Sequence, residues 1–321
     1  MKNKPILILA GEPNSIFSEI FIKSLNKIKV KKPIIVISSE KLLIKQLKKL
    51  NSNKKIRVLD YKNLNNYNLD NQSINLINVN YNQSKAFEKI SIKSKKYIQN
   101  SFQIAFKLIK KEKIFNFING PISKKYFLNK KYLGITEYVS DNFKIKNTCM
   151  LIFNKNLSVC PITTHLPIKL VPKKINKTNI KNKVILIQKF YKENFNKVPR
   201  IGILGLNPHC ESILNYNEDD KIIKPLVLKM RKIGFKIKGP LPADTIFLKN
   251  NRKDYDVLIG MYHDQVLTPI KTLFEYDAIN ITLGLPFLRV SPDHGPNERM
   301  VGKNLSNPSS LIKALQFLDK H

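Results

Sequence analysis

Five histidines occur among 321 residues, and three of them share a setting. His165 follows the run in "VCPITTHLP", His209 that in "IGILGLNPHCE" and His263 that in "VLIGMYHDQ", each with a turn-forming or polar neighbour. Neutral imidazole is a common ligand of divalent metals and the side chain best suited to proton transfer near neutral pH. The three are 44 and 54 residues apart, so no local motif such as H-E-x-x-H joins them. Only a fold that carries three strand ends to one edge would let them converge on one ion. In open α/β sheets that edge, outside the carboxyl ends of the strands, is where ligands bind. On spacing alone the other reading stays open: three half-buried histidines, each satisfying local hydrogen bonds.

Further polar residues follow apolar runs in the same manner. "GPLPADT" delivers Asp244 and Thr245 after a proline-fixed turn. Lys271 stands eight residues beyond His263, and "INITLGLPFLRVSPDHG" offers Asn280, Arg289, Asp293 and His294. A lysine and an arginine could supply the charge-assisted contacts of a phosphate or carboxylate site. Arg289 is the more telling of the two, because arginine is scarce in this chain and here sits within an apolar run. The first turn, "GEPNSIFSE" after "PILILA", occupies the place of a dinucleotide-binding loop but lacks G-x-G-x-x-G. Neither a G-x-x-x-x-G-K-[ST] loop nor a G-x-S-x-G elbow is present, which argues against a P-loop NTPase and an α/β-hydrolase.

The elements that must position these residues alternate in type. Strand-like runs at 5–10, 33–38, 55–60, 114–120, 148–154, 157–163, 200–207, 256–262 and 278–284 are separated by amphipathic stretches. Phe87, Ile90, Ile98, Phe102, Phe106 and Ile109 recur at near-helical spacing, as do Ile223, Leu226, Val227, Met230 and Ile233. Such alternation predicts an α/β fold around a largely parallel sheet. A closing helix is expected after Asn307 as N-cap and Pro308 at its first position. Residues 51–84, rich in Asn and Lys, read as an irregular surface segment. No repeat and no clean linker is evident.

The formal net charge of +34 would ordinarily suggest a nucleic-acid or anionic-membrane partner. Lysine supplies nearly all of it, spread through the chain beside Asn and Ile, as an A+T-rich coding sequence would produce. No basic run interleaved with aromatics stands out, so neither nucleic acid nor membrane is expected as a partner. The three cysteines, Cys149, Cys160 and Cys210, have no C-x-x-C spacing, which disfavours a disulfide framework and fits a reducing cytoplasm. No apolar run approaches the length of a membrane span, and "PILILA" reads as a first strand rather than a signal peptide.

Taken in order, "GEPNSIFSE", "NGPISKKYF", "GITEY", "TTHLP", "GLNPH", "GPLPADT", "MYHDQ" and "NITLGLPFLRVSPDHG" run over essentially the whole chain. Together they resemble the 4-hydroxythreonine-4-phosphate dehydrogenases of vitamin B6 biosynthesis. The resemblance implies a two-lobed α/β/α subunit, like isocitrate and isopropylmalate dehydrogenases, with its active site in the cleft and completed by the partner of a homodimer. The lobes are expected at 1–130 with 297–321, and at 131–296. By the same resemblance His165, His209 and His263 bind one divalent metal (zinc, magnesium, cobalt or manganese), while Thr136, Lys271, Asn280 and Arg289 contact substrate. NAD or NADP is implied as cofactor, bound without the Rossmann fingerprint. The implied reaction oxidises and decarboxylates 4-phosphooxy-L-threonine to 3-amino-2-oxopropyl phosphate. Asp244 is the carboxylate expected to orient a metal ligand or assist proton transfer, and Lys271 the second catalytic candidate.

Departures from the family pattern are local. Ile135 stands in "GITE" where the family has a histidine, and "CESILNYNEDD" replaces a glycine-rich stretch after His209. Asn14, Ser15 and Phe17 replace glycines of the first loop. They bear on substrate choice, so a relative acting on threonate or erythronate phosphate is the second reading. A basic nucleic-acid-binding protein on a retired enzyme fold is a more distant third, against which the intact histidines argue.

Overall fold

The structure, a computed structural model, is described over residues 4–112, 114, 116–128, 131–213, 216–292 and 295–321. Asp293 and His294 lie outside the described residues. In chain order the strands are Ile6–Leu9 (β1), Ile34–Ser38 (β2), Ile56–Val58 (β3), Ile74–Asn78 (β4), Asn116–Asn119 (β5) and Cys149–Phe153 (β6). They continue with Ser158–Thr163 (β7), Ile201–Leu204 (β8), Ile237–Leu241 (β9), Val257–Tyr262 (β10), Ile279–Leu283 (β11) and Leu288–Ser291 (β12). The helices used below are Phe17–Lys27 (α1), Glu40–Lys49 (α2), Ser94–Lys111 (α3), Ile135–Asn142 (α4), Lys177–Phe195 (α5), Lys224–Lys232 (α6), Ala243–Ile246 (α7), His263–Phe274 (α8) and Ser309–Lys320 (α9).

The chain packs as two compact units, Met1–Val139 with Pro286–His321, and Ser140–Leu285. The sequence reading drew these passages at 130/131 and 296/297; by packing they fall at 139/140 and 285/286, which moves Thr136 and Arg289 into the first unit.

In the first unit the strand order is β3-β4-β2-β1-β5-β12, and every pair is parallel. Parallel neighbours need crossovers: α1 carries the chain from β1 to its neighbour β2, while α2 runs from β2 to β3 and α3 from β4 to β5. β1, the "PILILA" run, is wholly buried between β2 and β5, as a strand covered on both faces must be. Residues 51–84 are more regular than their composition suggests, since they hold β3 and the buried strand β4. Composition misled because two of the five residues of "INLIN" are asparagines, and the buried Asn75 donates to the Ile34 and Asp70 carbonyls. The helix expected from Phe87 starts at Ser94; Phe102 and Phe106 then pack on Tyr138. α9 begins one residue later than expected: Pro308, whose carbonyl accepts the Ile312 N–H, is the N-cap and Ser309 the first helical residue, while Asn307 Oδ1 accepts the Ser309 N–H at 2.9 Å.

In the second unit the order is β11-β6-β7-β10-β8-β9. β11 and β6, and β6 and β7, are antiparallel; β7, β10, β8 and β9 are mutually parallel. Its core includes Val159, Leu204, Leu258, Val266 and Ile270, which seat α8 against β10 and its neighbours. The parallel set is what matters for the site. Four consecutive strands end on the same side, about 4.8 Å apart from neighbour to neighbour.

Candidate active site

Each of those four strand ends delivers a titratable or metal-ligating side chain. His165 comes two residues after β7, His263 directly after β10 as the first residue of α8, His209 in the turn Pro208–Cys210 after β8, and Asp244 in α7 after β9. In spatial order along the rim they read His165, His263, His209, Asp244. Residues spread from position 165 to position 263 thus line one edge because the parallel register leaves them nowhere else to go.

The local backbone is strained to present them. His165 has φ 48°, His209 φ 54° and Cys210 φ 62°, all in the left-handed region that non-glycine residues avoid. Such outliers persist where surrounding contacts over-determine them, and they cluster at functional sites. The rings of His165 and His263 have centroids 6.0 Å apart with planes tilted by 34°. His263 Nδ1 lies 2.6 Å from Asp264 Oδ1. A carboxylate at that nitrogen holds the tautomer with Nδ1 protonated and leaves Nε2 as the open lone pair, the arrangement common behind metal-bound histidines. His209 Nδ1 stands 3.8 Å from Asp244 Oδ2, too far for a hydrogen bond, and both side chains are well exposed.

Among the described residues no three of His, Cys, Asp and Glu stand close enough to hold an ion already. The donor set nevertheless fits one. Two imidazoles sharing an ion at about 2.0–2.1 Å place their ring centres about 5 Å apart, roughly 1 Å closer than His165 and His263 stand here. The exposed His209 ring is free of the buried packing that would hold it in place.

The other expected residues divide between the two units. In the second, Lys271 lies on α8, two turns beyond His263. Its side chain reaches solvent, yet surrounding atoms desolvate the ammonium enough to hold it below the usual lysine value. Asn280, on β11, carries a buried Oδ1 with no hydrogen-bond partner among the described residues. An unpaired buried acceptor is costly, so this atom is suited to a donor that arrives with a ligand.

In the first unit Arg289 sits on β12, 2% exposed. Its Nε donates to Asn119 Oδ1 at 2.9 Å and one terminal nitrogen donates to Thr136 Oγ1, near the start of α4, at 3.0 Å. Burial brings the guanidinium down to about 10, with the carboxylate of Glu137 opposing that shift, so it stays charged at neutral pH. Asn119 also accepts from Ser291 Oγ at 3.3 Å. Sequence reasoning found Thr136 and Arg289 and missed Asn119, which ends β5 and lies 170 residues from the arginine it holds. Ile135 is the first residue of α4 and places an apolar side chain next to Thr136 in sequence.

Glu12, in the first loop after β1, was also missed. It is 1% exposed. One carboxylate oxygen accepts from Ser94 Oγ at 2.9 Å, while the other is buried with no hydrogen-bond partner among the described residues. Desolvation, reinforced by Glu298, raises it to about 7 against hydrogen bonds from Ser94 and the Asn14 backbone.

The chain is α/β, with a histidine-bearing rim in the second unit and a buried arginine in the first. Against solved structures, the β-decarboxylating dehydrogenase of Thermococcus kodakarensis shares this fold, with a TM-score of 0.50 at 9% identity over 97% of this chain and 81% of that one. The family model for the pyridoxal phosphate biosynthetic protein PdxA matches residues 29–318. The chain belongs to that family and is an oxidoreductase. The 4-hydroxythreonine-4-phosphate dehydrogenase of Sulfurihydrogenibium sp. is 39% identical over 97% of this chain and 96% of its own. The crystal structure of the enzyme of that name from Klebsiella pneumoniae matches with a TM-score of 0.85 at 26% identity, covering 99% of each chain. No helix among the described residues is long and apolar enough to cross a membrane.

Proposed function

We propose that the protein oxidises and decarboxylates 4-phosphooxy-L-threonine to 3-amino-2-oxopropyl phosphate, with one divalent ion and NAD or NADP, as a homodimer. The observation that carries this reading is the rim order His165, His263, His209, Asp244 on four consecutive parallel strands. His165, His209 and His263 would hold the ion through neutral imidazole nitrogens. When bound, the ion would lower the pKa of the substrate hydroxyl and stabilise the charge that builds on oxygen, while the nicotinamide accepts the hydride. Asp264 keeps a proton on His263 Nδ1 and so fixes which nitrogen of that ring faces the ion. Asp244, 3.8 Å from His209 Nδ1, would orient His209 or take the proton leaving the substrate hydroxyl. Arg289, steadied by Asn119 and Thr136, and Lys271 supply fixed positive charge for the substrate's phosphate and carboxylate. Asn280 Oδ1 offers an acceptor to a substrate N–H or O–H.

A specific feature favours a second reading on substrate. Ile135 removes an imidazole beside Thr136, which suits a phosphorylated hydroxy acid lacking the amino group, such as threonate or erythronate phosphate. The test is turnover of purified protein with each phosphorylated acid, with NAD and NADP, following reduced nicotinamide and released carbon dioxide. Turnover of 4-phosphooxy-L-threonine at the highest kcat/KM supports the first reading. Preference for a threonate or erythronate phosphate transfers it to the second, and no turnover with any of them defeats both.

A further inference from the structure

Beyond the four strand ends, one side chain ties two of the histidine-bearing turns together. β10 and β8 pair at Val257 with Ile201, Leu258 with Gly202 and Ile259 with Ile203, and there the ladder stops. On its other side β10 keeps pairing with β7 as far as Tyr262 with Thr163, and Thr163 Oγ1 donates to the Met261 carbonyl at 2.8 Å. The two strands that lead to His263 and His209 therefore part just before their histidines.

The gap is filled by the Gln265 amide. Its Oε1 accepts the Met261 N–H at 2.7 Å and its Nε2 donates to the Gly205 carbonyl at 2.7 Å. One carboxamide replaces a direct strand-to-strand bond and spaces the two backbones by its own width. Glycine at 260 is required by the same packing, since a Cβ there would stand 2.5 Å from Val266 Cγ1 and 2.9 Å from Gln265 Oε1. The turn beyond Gly205 is fixed from the far side. The Gly205 N–H donates to the Leu241 carbonyl at 3.0 Å, and the fully buried Asp219 accepts the N–H groups of Leu206 and Asn207 at 2.8 and 3.0 Å. With the turn held on those sides, the length of residue 265 sets how far the root of the His209 turn stands from that of His263.

We propose that Gln265 is a positioning residue that sets the spacing of His209 and His263, and through it the affinity and geometry of the divalent-ion site. This rests on the metal-binding reading above. Both of its bonds go to backbone groups of the chain, so it acts by pre-organising the ligands rather than by touching ion or substrate.

The experiment compares wild type with Gln265→Asn, which keeps the amide on a stem one methylene shorter, and Gln265→Met, which keeps the length and loses both bonds. Zinc affinity is read by competition with a chromophoric chelator, and ligand geometry from the visible spectrum of the cobalt-substituted protein. Both variants are expected to bind zinc about tenfold to a hundredfold more weakly, the range typical for loss of a residue supporting metal ligands. Their cobalt spectra are expected to differ from wild type. A merely structural role would lower the melting temperature and leave affinity and spectrum unchanged, and that result overturns the proposal. Should Gln265→Met fail to fold, Gln265→Asn decides alone. A wild-type protein that binds neither metal defeats the underlying reading instead, so the two failures are distinguishable.

Discussion

Glu12 offers a test of the first loop that is independent of catalysis. Its carboxyl titrates at about 7 in the folded chain against 4.5 for the ordinary group, chiefly because burial disfavours the anion. The folded state therefore holds a proton that the unfolded chain has already released, and stability must fall as pH rises between those two values. At about 1.4 kcal/mol per pH unit the loss accumulates to about 3 kcal/mol above neutrality. Nearby Tyr97 does not interfere, because burial raises it to about 12. Glu12→Gln keeps an acceptor for Ser94 Oγ and cannot ionise. Urea unfolding of wild type and variant, compared from about pH 4.5 to about pH 8, isolates this group, since all other titrations cancel in the difference. The variant is expected to gain about 3 kcal/mol on wild type across that range, most of it between about pH 5 and pH 7. A difference that stays constant with pH refutes the reasoning.

Three further outcomes follow from the site. Arg289→Lys keeps the charge and loses the planar donors that reach Asn119 and Thr136, so kcat/KM should fall about tenfold to a hundredfold in steady-state assays. Asp219→Ala strips the acceptor from two backbone N–H groups and the Asn207 side chain, and should cost about 3 kcal/mol in urea unfolding. Asn280→Leu removes a buried acceptor that has no partner found, so the melting temperature should not drop while KM for substrate rises.

The alternation of apolar runs and amphipathic stretches was enough to read the α/β class, and "VCPIT", "IGIL" and "VLIGMY" did become neighbouring parallel strands. Three strands escaped that reading. β4 hides among asparagines, β9 contains the Gly-Pro of "IKGPL", and β12 holds a buried arginine; each breaks the apolar pattern for a reason only its neighbours supply. At the site, residue type and strand position pointed to the histidines because imidazole is rare here. Asn119, Asp219 and Gln265 gave no such signal. Their partners lie 170, 13 and 60 residues away, and an amide or carboxylate becomes informative only once the group it bonds is known. Glu12 likewise looks like an ordinary loop carboxylate until its burial is seen.

Metal-dependent turnover tests the central reading most directly. Protein stripped with a chelator is assayed for reduced nicotinamide with 4-phosphooxy-L-threonine while zinc or manganese is titrated back, with His209→Ala, at a well-exposed position, treated in parallel. Activity should vanish on stripping, return as one ion per chain is restored, and fail to return in His209→Ala at the same ion concentration. Turnover that survives stripping, or that His209→Ala regains in full, contradicts the assignment of the histidine rim as a catalytic metal site.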